Sequence, residues 1–509
     1  MLRRSVYTNE LTKGNLPVKQ LLMKEISNLR AQRTKRLPTF LEASISVLSL
    51  IISVGISVAF LGLDPQMPML LGVAMAAFIA WRCGFGWAEI ENSMVKGVTR
   101  AIPAIMIFLL IGALIGIWIV SGVVPAMLYY GLQTLSADIF LPSTLIICAI
   151  ASLATGSSWG TSGTIGLALI GIGSSLGFPL PILAGAVISG AYFGDKMSPL
   201  SDTTNLASAM AGTNLYTHIR HMVNTTSISF AITLLIETIL GIRYSGIVVE
   251  GVNVIEILGV LENNFVISPL MLIPPIALIF VSTKKFAALP SLALGIFVAA
   301  ALGFSIQQIS IQEMMHVSFA GFNSVTGIGT IDDLLTRGGI VSMSYTITVV
   351  LVAMMFGGII EESGQLNVLI KKLLAKAQST GSLVASTVLT TIISNLVLCE
   401  QYMSIIVGAR AHAKEYEARG LHAKNLSRVV EDSGTVTACL IPWTSGGAYQ
   451  ASVLGVATFA YAPFAFFCWI SPLVTLAFGY FNINITRIEE DPETQLTQFS
   501  DSQSRKNLW

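Results

Sequence analysis

Two polar runs inside long apolar stretches hold side chains that could bind an ion. The run 155–164 is rich in hydroxyls and glycine and contributes the candidates Ser157, Ser158, Trp159 and Thr161. The run 190–205 contributes Asp195, Ser198, Asp202, Thr203 and Thr204. Such residues offer oxygen ligands to a cation, and an opened helix offers free N–H groups to an anion. The alternatives are helix packing through small residues for the first run and a solvated turn for the second.

Two further polar clusters lie in the second half of the chain. They contribute the candidates Asn395, Gln401, Asp432, Ser433, Thr435, Trp443 and Thr444. Asp432 opens an apolar run, whereas its neighbour Glu431 could simply pair with Arg428 at a helix end. Glu237 stands alone among apolar residues, close enough to Arg243 to pair with it, and is a weaker candidate.

Asp195 and Asp202 are the charged members of the predicted site and the candidate cation ligands. A carboxylate within the membrane is costly unless it is neutralised, so it takes up either a proton or a cation. Competition between these two partners, combined with alternating access, produces antiport. Lys196 could neutralise the empty carboxylate pair.

Other chemistries lack their usual residues. The five histidines form no pattern typical of a zinc site, and no GxxxxGK[ST] run predicts a nucleotide site. The five cysteines form no CxxC pair and are interpreted as small hydrophobic residues. We therefore expect no cofactor and no enzyme activity.

The composition requires a membrane environment for these clusters. Hydrophobic residues make up 53% of the 509 residues and charged residues 11%, and the mean hydropathy is +0.73. A soluble domain carries about a quarter of its residues charged. The lipid bilayer is thus a predicted partner, and the net charge of +1 offers no field for nucleic acid.

The apolar stretches predict an all-α polytopic membrane protein with about ten to thirteen transmembrane or re-entrant segments. Several stretches are too short to cross the bilayer alone, which is typical of broken helices. The predicted parts are a basic tail at 1–38, membrane halves at 39–245 and 246–482, and a polar tail at 483–509.

The basic residues predict the orientation. Nine Lys and Arg residues in 1–38 place the N-terminus in the cytoplasm. Basic residues flank the stretch 381–409 on both sides, whereas 101–215 contains only Lys196. We therefore expect two broken-helix hairpins that enter from opposite sides, as in an inverted-topology repeat with an offset of about 240 residues.

The segment from Gly190 to Ala207, together with 431–435 and Pro442-Trp443, resembles the NhaC family of bacterial Na⁺/H⁺ antiporters. The resemblance covers roughly residues 38–482. It implies a multi-pass protein of the bacterial inner membrane with paired re-entrant hairpins. The family also includes malate/lactate antiporters. Thr444 to Gly447 replace the Asn-Thr-Cys-Gly that relatives often carry, which leaves the specificity open.

In line with the resemblance, the preferred hypothesis is a Na⁺/H⁺ antiporter with a buried carboxylate site. Na⁺ and H⁺ are then the transported ions, and Asp195 and Asp202 are the candidate Na⁺ ligands. The main alternative is a Na⁺- or H⁺-coupled antiporter of small organic acids, which would use the same hairpins. A channel lacks a continuous polar pore in the sequence, and a membrane enzyme lacks a nucleophile–base pair. Assembly as a homo-oligomer is left open.

Overall fold

The computed structural model describes residues 35–245, 254–284 and 286–488. Ten α-helices occupy the first described range: α1 (Phe40–Ala59), α2 (Gln66–Arg82), α3 (Trp87–Val120), α4 (Val123–Thr134), α5 (Phe140–Thr155), α6 (Ser158–Thr161), α7 (Leu167–Ser175), α8 (Leu180–Met197), α9 (Asp202–Ala211) and α10 (Leu215–Ser245). A π-helical turn at Ser162–Gly166 joins α6 to α7, and a 3₁₀ turn at Ala137–Ile139 precedes α5.

The other described ranges hold fourteen more α-helices: α11 (Val254–Asn264), α12 (Ile273–Thr283), α13 (Ala288–Ser305), α14 (Ile311–Ala320), α15 (Gly329–Leu335), α16 (Ser344–Glu362), α17 (Gln365–Leu374), α18 (Thr380–Leu398), α19 (Gln401–Ala418), α20 (Ala423–Val430), α21 (Val436–Ala438), α22 (Ser445–Leu454), α23 (Thr458–Tyr461) and α24 (Phe466–Tyr480). A π-helical turn spans Glu431–Thr435, and 3₁₀ turns lie at Pro269–Leu272, Ile340–Met343 and Ala462–Phe464.

The helices confirm the predicted fold class. Seven helices in the described ranges are long and apolar enough to cross a membrane, and nine are if each of two bent helix pairs is one span. Their outer faces expose large apolar side chains, such as Ile52 on α1 and Phe297 on α13. Because exposed apolar faces of this kind are stable in lipid, the protein is a multi-pass membrane protein.

Glycine allows the central helices to approach closely. A Cβ added at Gly97 on α3 would lie 2.0 Å from the carbonyl oxygen of Met354 on α16, and one at Gly358 would lie 2.1 Å from that of Ser93. Gly190 and Gly194 on α8 meet α5 in the same way. Small residues are the usual means by which membrane helices pack backbone against backbone.

The helix breaks of the two predicted halves are separated by a constant number of residues. Ser157 and Glu400 are N-cap residues whose side chains accept backbone N–H bonds, and each follows a residue with positive φ. Ser201 and Thr444 cap the helices α9 and α22. Ser157 and Glu400 are 243 positions apart in the sequence, and so are Ser201 and Thr444. This spacing supports an internal repeat close to the predicted offset, while the opposite orientation of the two halves stays a prediction.

The predicted tails lie largely outside the described residues, since 1–34 and 489–509 are not described, and neither is the boundary between the predicted halves at 246–253. Glu361 and Glu362 end α16. Both form ion pairs with α3, Glu361 with Arg100 and Glu362 with Lys96.

Candidate functional site

A polar cavity of about 400 Å³ lies where the breaks of the two predicted hairpins meet. It brings together two of the helix breaks of the first half with the first turn of α19 from the second half. The candidate residues that line it are Ser157, Ser158, Trp159, Asp195, Asp202, Thr203 and Gln401. Apolar side chains of α3, α12 and α13 complete the wall.

Asp195 is held at the wall of the cavity by Ser158. The backbone N–H and the hydroxyl of Ser158 donate to Asp195 Oδ2 at 3.1 and 2.6 Å. The side chain is only 5% exposed. Two donors stabilise the charged form of a carboxylate, whereas burial disfavours it. The two donors and the burial of Asp195 therefore act in opposite directions on its charged form.

Asp202 is the second carboxylate of the cavity and differs from Asp195 in its exposure. It is the first residue of α9, directly after the N-cap residue Ser201, and its side chain is exposed. No hydrogen bond or ion pair links it to another residue in the described ranges. Asp202 therefore keeps both carboxylate oxygens available to a ligand in the cavity.

The second half contributes Gln401 and Tyr402 to the opposite wall. The Gln401 side chain is buried, and its Oε1 has no hydrogen-bond partner among the described residues. A buried carbonyl oxygen without a hydrogen bond is energetically costly. A ligand that donated a hydrogen bond to this oxygen, or a cation that it coordinated, would remove that cost. The preceding residue, Glu400, is buried and accepts a 2.5 Å hydrogen bond from Ser445.

An aromatic stack is built around Trp159, which lines the cavity. Trp159 stacks on Tyr449 with ring centroids 4.9 Å apart, and Phe108 packs on both rings. The Tyr449 hydroxyl donates to the Trp159 carbonyl at 2.6 Å. Trp159 thereby connects the first break to α22.

The remaining candidates lie outside the lining of the cavity. Several donate hydrogen bonds to backbone carbonyls: Ser198 to Leu153, Thr204 to Lys196, Ser433 to Val429, Thr444 to Ala438, Trp443 to Leu396 and Asn395 to Gly434. Thr161 and Thr435 are buried, and their hydroxyls have no hydrogen-bond partner among the described residues.

Lys196 does not neutralise Asp195 and Asp202. Its ammonium group forms an ion pair with Asp432, and both side chains are fully buried. Asp432 also accepts hydrogen bonds from Thr225, at 2.8 Å, and from Thr475. The prediction for Lys196 was wrong because adjacency along a helix does not fix direction: side chains at positions i and i+1 point about 100° apart. Asp432 is accordingly a partner in an ion pair and is not among the residues that line the cavity.

Two pairings considered from the sequence are also absent from the described residues. Glu431 is buried and accepts a hydrogen bond from Thr203 at 3.1 Å, while Arg428 donates to the Asn484 carbonyl. Glu237 is fully buried, and neither of its oxygens has a hydrogen-bond partner among the described residues, so it does not pair with Arg243. Glu431 thus reaches the cavity through Thr203.

The structure adds residues that sequence reasoning missed. Thr225, Ser471 and Thr475 surround the Lys196–Asp432 pair, and Tyr449 holds Trp159. The hydroxyl residues of α10 recur every four positions within an apolar helix, which could have indicated a polar face. No comparable signal in the sequence pointed to Tyr449.

The chain matches known transporters over most of its length. Residues 190–483 match the model of the Na⁺/H⁺ antiporter family. The chain is 38% identical to the Na⁺/H⁺ antiporter NhaC of Alkalihalophilus pseudofirmus over 84% of this chain and 93% of that protein. It is 36% identical to the malate-2H⁺/Na⁺-lactate antiporter of Bacillus subtilis, over 87% and 95% of the two chains.

A third relative transports a different kind of solute. The arginine/ornithine antiporter ArcD of Halobacterium salinarum is 35% identical over 90% of this chain and 95% of its own length. The names of these relatives are those of transporters, and none is that of an enzyme. The family model and the relatives together show that the chain belongs to the Na⁺/H⁺ antiporter family, in its NhaC branch.

Proposed function

We propose that this protein exchanges Na⁺ for protons across the bacterial inner membrane, with the N-terminus in the cytoplasm. The observation that carries the proposal is the charge of the cavity. Its wall contains the two carboxylates Asp195 and Asp202, and no Lys, Arg or His occurs among the described residues that line it. A wall of this kind attracts cations and repels anions.

The proposed cycle needs one property of the cavity, which is that a cation and a proton exclude each other. When Na⁺ occupies the cavity, the carboxylates Asp195 and Asp202 stay ionised and supply oxygen ligands, with hydroxyls such as those of Ser157 and Thr203 beside them. When Na⁺ leaves, burial favours protonation of the same carboxylates. If the cavity opens alternately to the two sides of the membrane, each cation that moves one way is exchanged for protons that move the other way.

A second candidate is exchange of a small organic solute. The malate/lactate and arginine/ornithine antiporters among the relatives motivate it. A cavity of about 400 Å³ is also large for a bare ion. Between these two solute classes, the carboxylates of the wall favour a cationic one over an organic acid.

The test uses the purified protein in liposomes that contain a pH-sensitive dye. A proton gradient is imposed, and NaCl, KCl, sodium-free malate, lactate or arginine is added outside. We expect NaCl to collapse the gradient, with no response to sodium-free malate or lactate. A response to malate or lactate without Na⁺ would replace the Na⁺/H⁺ proposal with the organic-acid one.

A further inference from the structure

Glu237 is a buried carboxyl group far along the chain from the cavity residues. It lies in α10, its side chain is fully buried, and neither Oε1 nor Oε2 has a hydrogen-bond partner among the described residues. The six ion pairs found in the described ranges do not include it. It also does not line the cavity of Asp195 and Asp202.

The state of Glu237 follows from its burial. An ionised carboxylate without a partner in a low-dielectric interior is unfavourable by several kcal/mol or more, so such a group binds a proton instead. In the conformation described here, Glu237 is therefore a neutral acid. A membrane transporter that holds a proton on a carboxyl group has a site that can release it when the surroundings change.

A polar face of α10 leads from Glu237 towards the Lys196–Asp432 pair. Thr225, Ser229, Thr233 and Glu237 are spaced four residues apart, so they share one face of the helix, and all are fully buried. Ser229 and Thr233 donate to carbonyls four residues earlier, at 2.9 and 2.8 Å. Thr225 donates to Asp432. With a rise of 1.5 Å per residue, this face extends about 18 Å from Thr225 to Glu237.

Within the described part of the chain, the elements most extensively packed against α10 supply no charged partner for Glu237. They are α5, α8, α9, α20, α24 and the turn Ala137–Ile139. Their titratable groups are Asp138, Cys148, Tyr192, Asp195, Lys196, Asp202, Lys424, Arg428, Cys468 and Tyr480. None of these groups forms a hydrogen bond or ion pair with Glu237. The hydroxyl of Thr144 on α5 is likewise buried without a hydrogen-bond partner in the described ranges.

We propose that Glu237 is a second proton-binding site, separate from the cation site, and that the hydroxyl face of α10 connects it to the Lys196–Asp432 pair. The proposal rests on the proposed function in one respect, since the proton on Glu237 is taken to be one that the exchange moves. A purely structural acid in this position would keep its proton permanently. The two cases differ in whether the proton leaves during exchange.

The first measurement detects the protonation state of Glu237 and does not depend on transport activity. Infrared difference spectra of the reconstituted protein are recorded on raising the pH and on adding NaCl. We expect a carbonyl-stretch band of a protonated carboxylic acid that is lost upon deprotonation, is absent from Glu237→Gln, and is shifted in Glu237→Asp. A wild-type protein whose spectra contain no band that Glu237→Gln removes would overturn the proposal, even if it transports Na⁺.

The second measurement determines the exchange ratio, which is the number of protons moved per Na⁺. Protons and ²²Na⁺ are counted in the same liposomes, and insertion is checked by size-exclusion chromatography. We expect Glu237→Gln to lower the number of protons moved per Na⁺ while Na⁺ binding is retained, and Thr233→Val to slow proton movement. Thr238→Val is the matched control, because Thr238 lies on the same helix and bonds to its own backbone, but sits on another face.

An unchanged ratio in Glu237→Gln would also overturn the proposal. If the wild-type protein moves no protons with any solute, the proposed antiport fails, whereas the infrared band still decides whether Glu237 takes up and releases a proton. The Glu237→Asp variant keeps a carboxyl group on a shorter side chain. It therefore separates the effect of losing a protonation site from the effect of a change in packing.

Discussion

Lys196 and Asp432, which are 236 positions apart in the sequence, form an ion pair at the junction of α8 with the π-helical turn Glu431–Thr435. Both side chains are fully buried. Thr225, Ser471 and Thr475 complete their hydrogen bonding. The pair therefore joins the first and second halves of the chain by a charge contact, and neither residue lines the cavity of Asp195 and Asp202.

Removal of one member of this pair should destabilise the protein more than removal of both. Breaking a buried pair leaves an uncompensated charge, at a cost of about 3 to 5 kcal/mol, whereas an apolar replacement of both is near neutral. We expect large losses of thermal stability in Lys196→Met and Asp432→Leu, and a recovery in the double variant, measured by fluorescence-detected unfolding in detergent. Additive losses in the double variant would contradict this coupling.

Asp202→Asn should abolish Na⁺-dependent proton movement in vesicles while the protein still inserts. Asp202 offers an exposed carboxylate to the cavity, and an amide cannot replace its charge or take up a proton. The control is Asp138→Asn, an exposed aspartate outside the cavity. Normal exchange by Asp202→Asn would refute the site assignment.

Ser158→Ala should weaken the apparent affinity for Na⁺. The Ser158 hydroxyl stabilises the charged form of Asp195, and a hydrogen bond to a charged group contributes about 1.5 to 3 kcal/mol. Without it, protons compete better, so the Na⁺ concentration for half-maximal exchange should rise by about tenfold or more. Ser49→Ala is the control, since Ser49 bonds only to the Ser46 carbonyl. If Ser158→Ala and Ser49→Ala reached half-maximal exchange at the same Na⁺ concentration, the proposed role of the Ser158 hydroxyl would be contradicted.

Gly97→Ala should disrupt the crossing of α3 and α16. A Cβ at this position would lie 2.0 Å from the Met354 carbonyl oxygen, so the two backbones must separate. We expect a lower yield of monodisperse protein and a lower unfolding temperature. Gly55→Ala on α1 is the matched control: its Cβ would meet nothing within 4 Å, and alanine favours a helix by about 0.5 to 1 kcal/mol. A Gly97→Ala variant as stable as the control would contradict the close crossing.

The loop around Asp332 should open only in acid. The backbone N–H of Thr326, the hydroxyls of Ser324 and Thr326 and the N–H of Gly327 donate to this carboxylate, and they hold its pKa below the usual value. A lowered carboxyl pKa stabilises the folded loop above the pKa of a free Asp, about 3.9, and this stability is lost as the pH falls through the folded pKa.

Limited proteolysis at decreasing pH checks this expectation. Cleavage of the loop 321–339 should stay low at neutral pH and rise only at strongly acid pH, and Asp332→Asn should be cleaved already at neutral pH. Equal protection of the variant and the wild type across this range would show that Asp332 does not hold the loop.

The helical membrane fold and the two carboxylates of the candidate cavity were available from the sequence. The fold followed from composition, because a chain with so few charges and such long apolar stretches is stable only as helices in lipid. The helix breaks followed from local residues, because Ser157, Ser201 and Thr444 are residues that cap helices. Asp195 and Asp202 stood out as carboxylates beside one of these breaks.

The partner of each polar group was decided by the tertiary structure alone. Lys196 turns away from its neighbour Asp195 and reaches Asp432, and Glu431 reaches Thr203 instead of Arg428. Whether Glu237 has a partner likewise depends on the helices packed around α10. The physical reason is that burial and contact between distant segments arise from the way helices pack, whereas the sequence shows only which residues share a helix and which face they occupy.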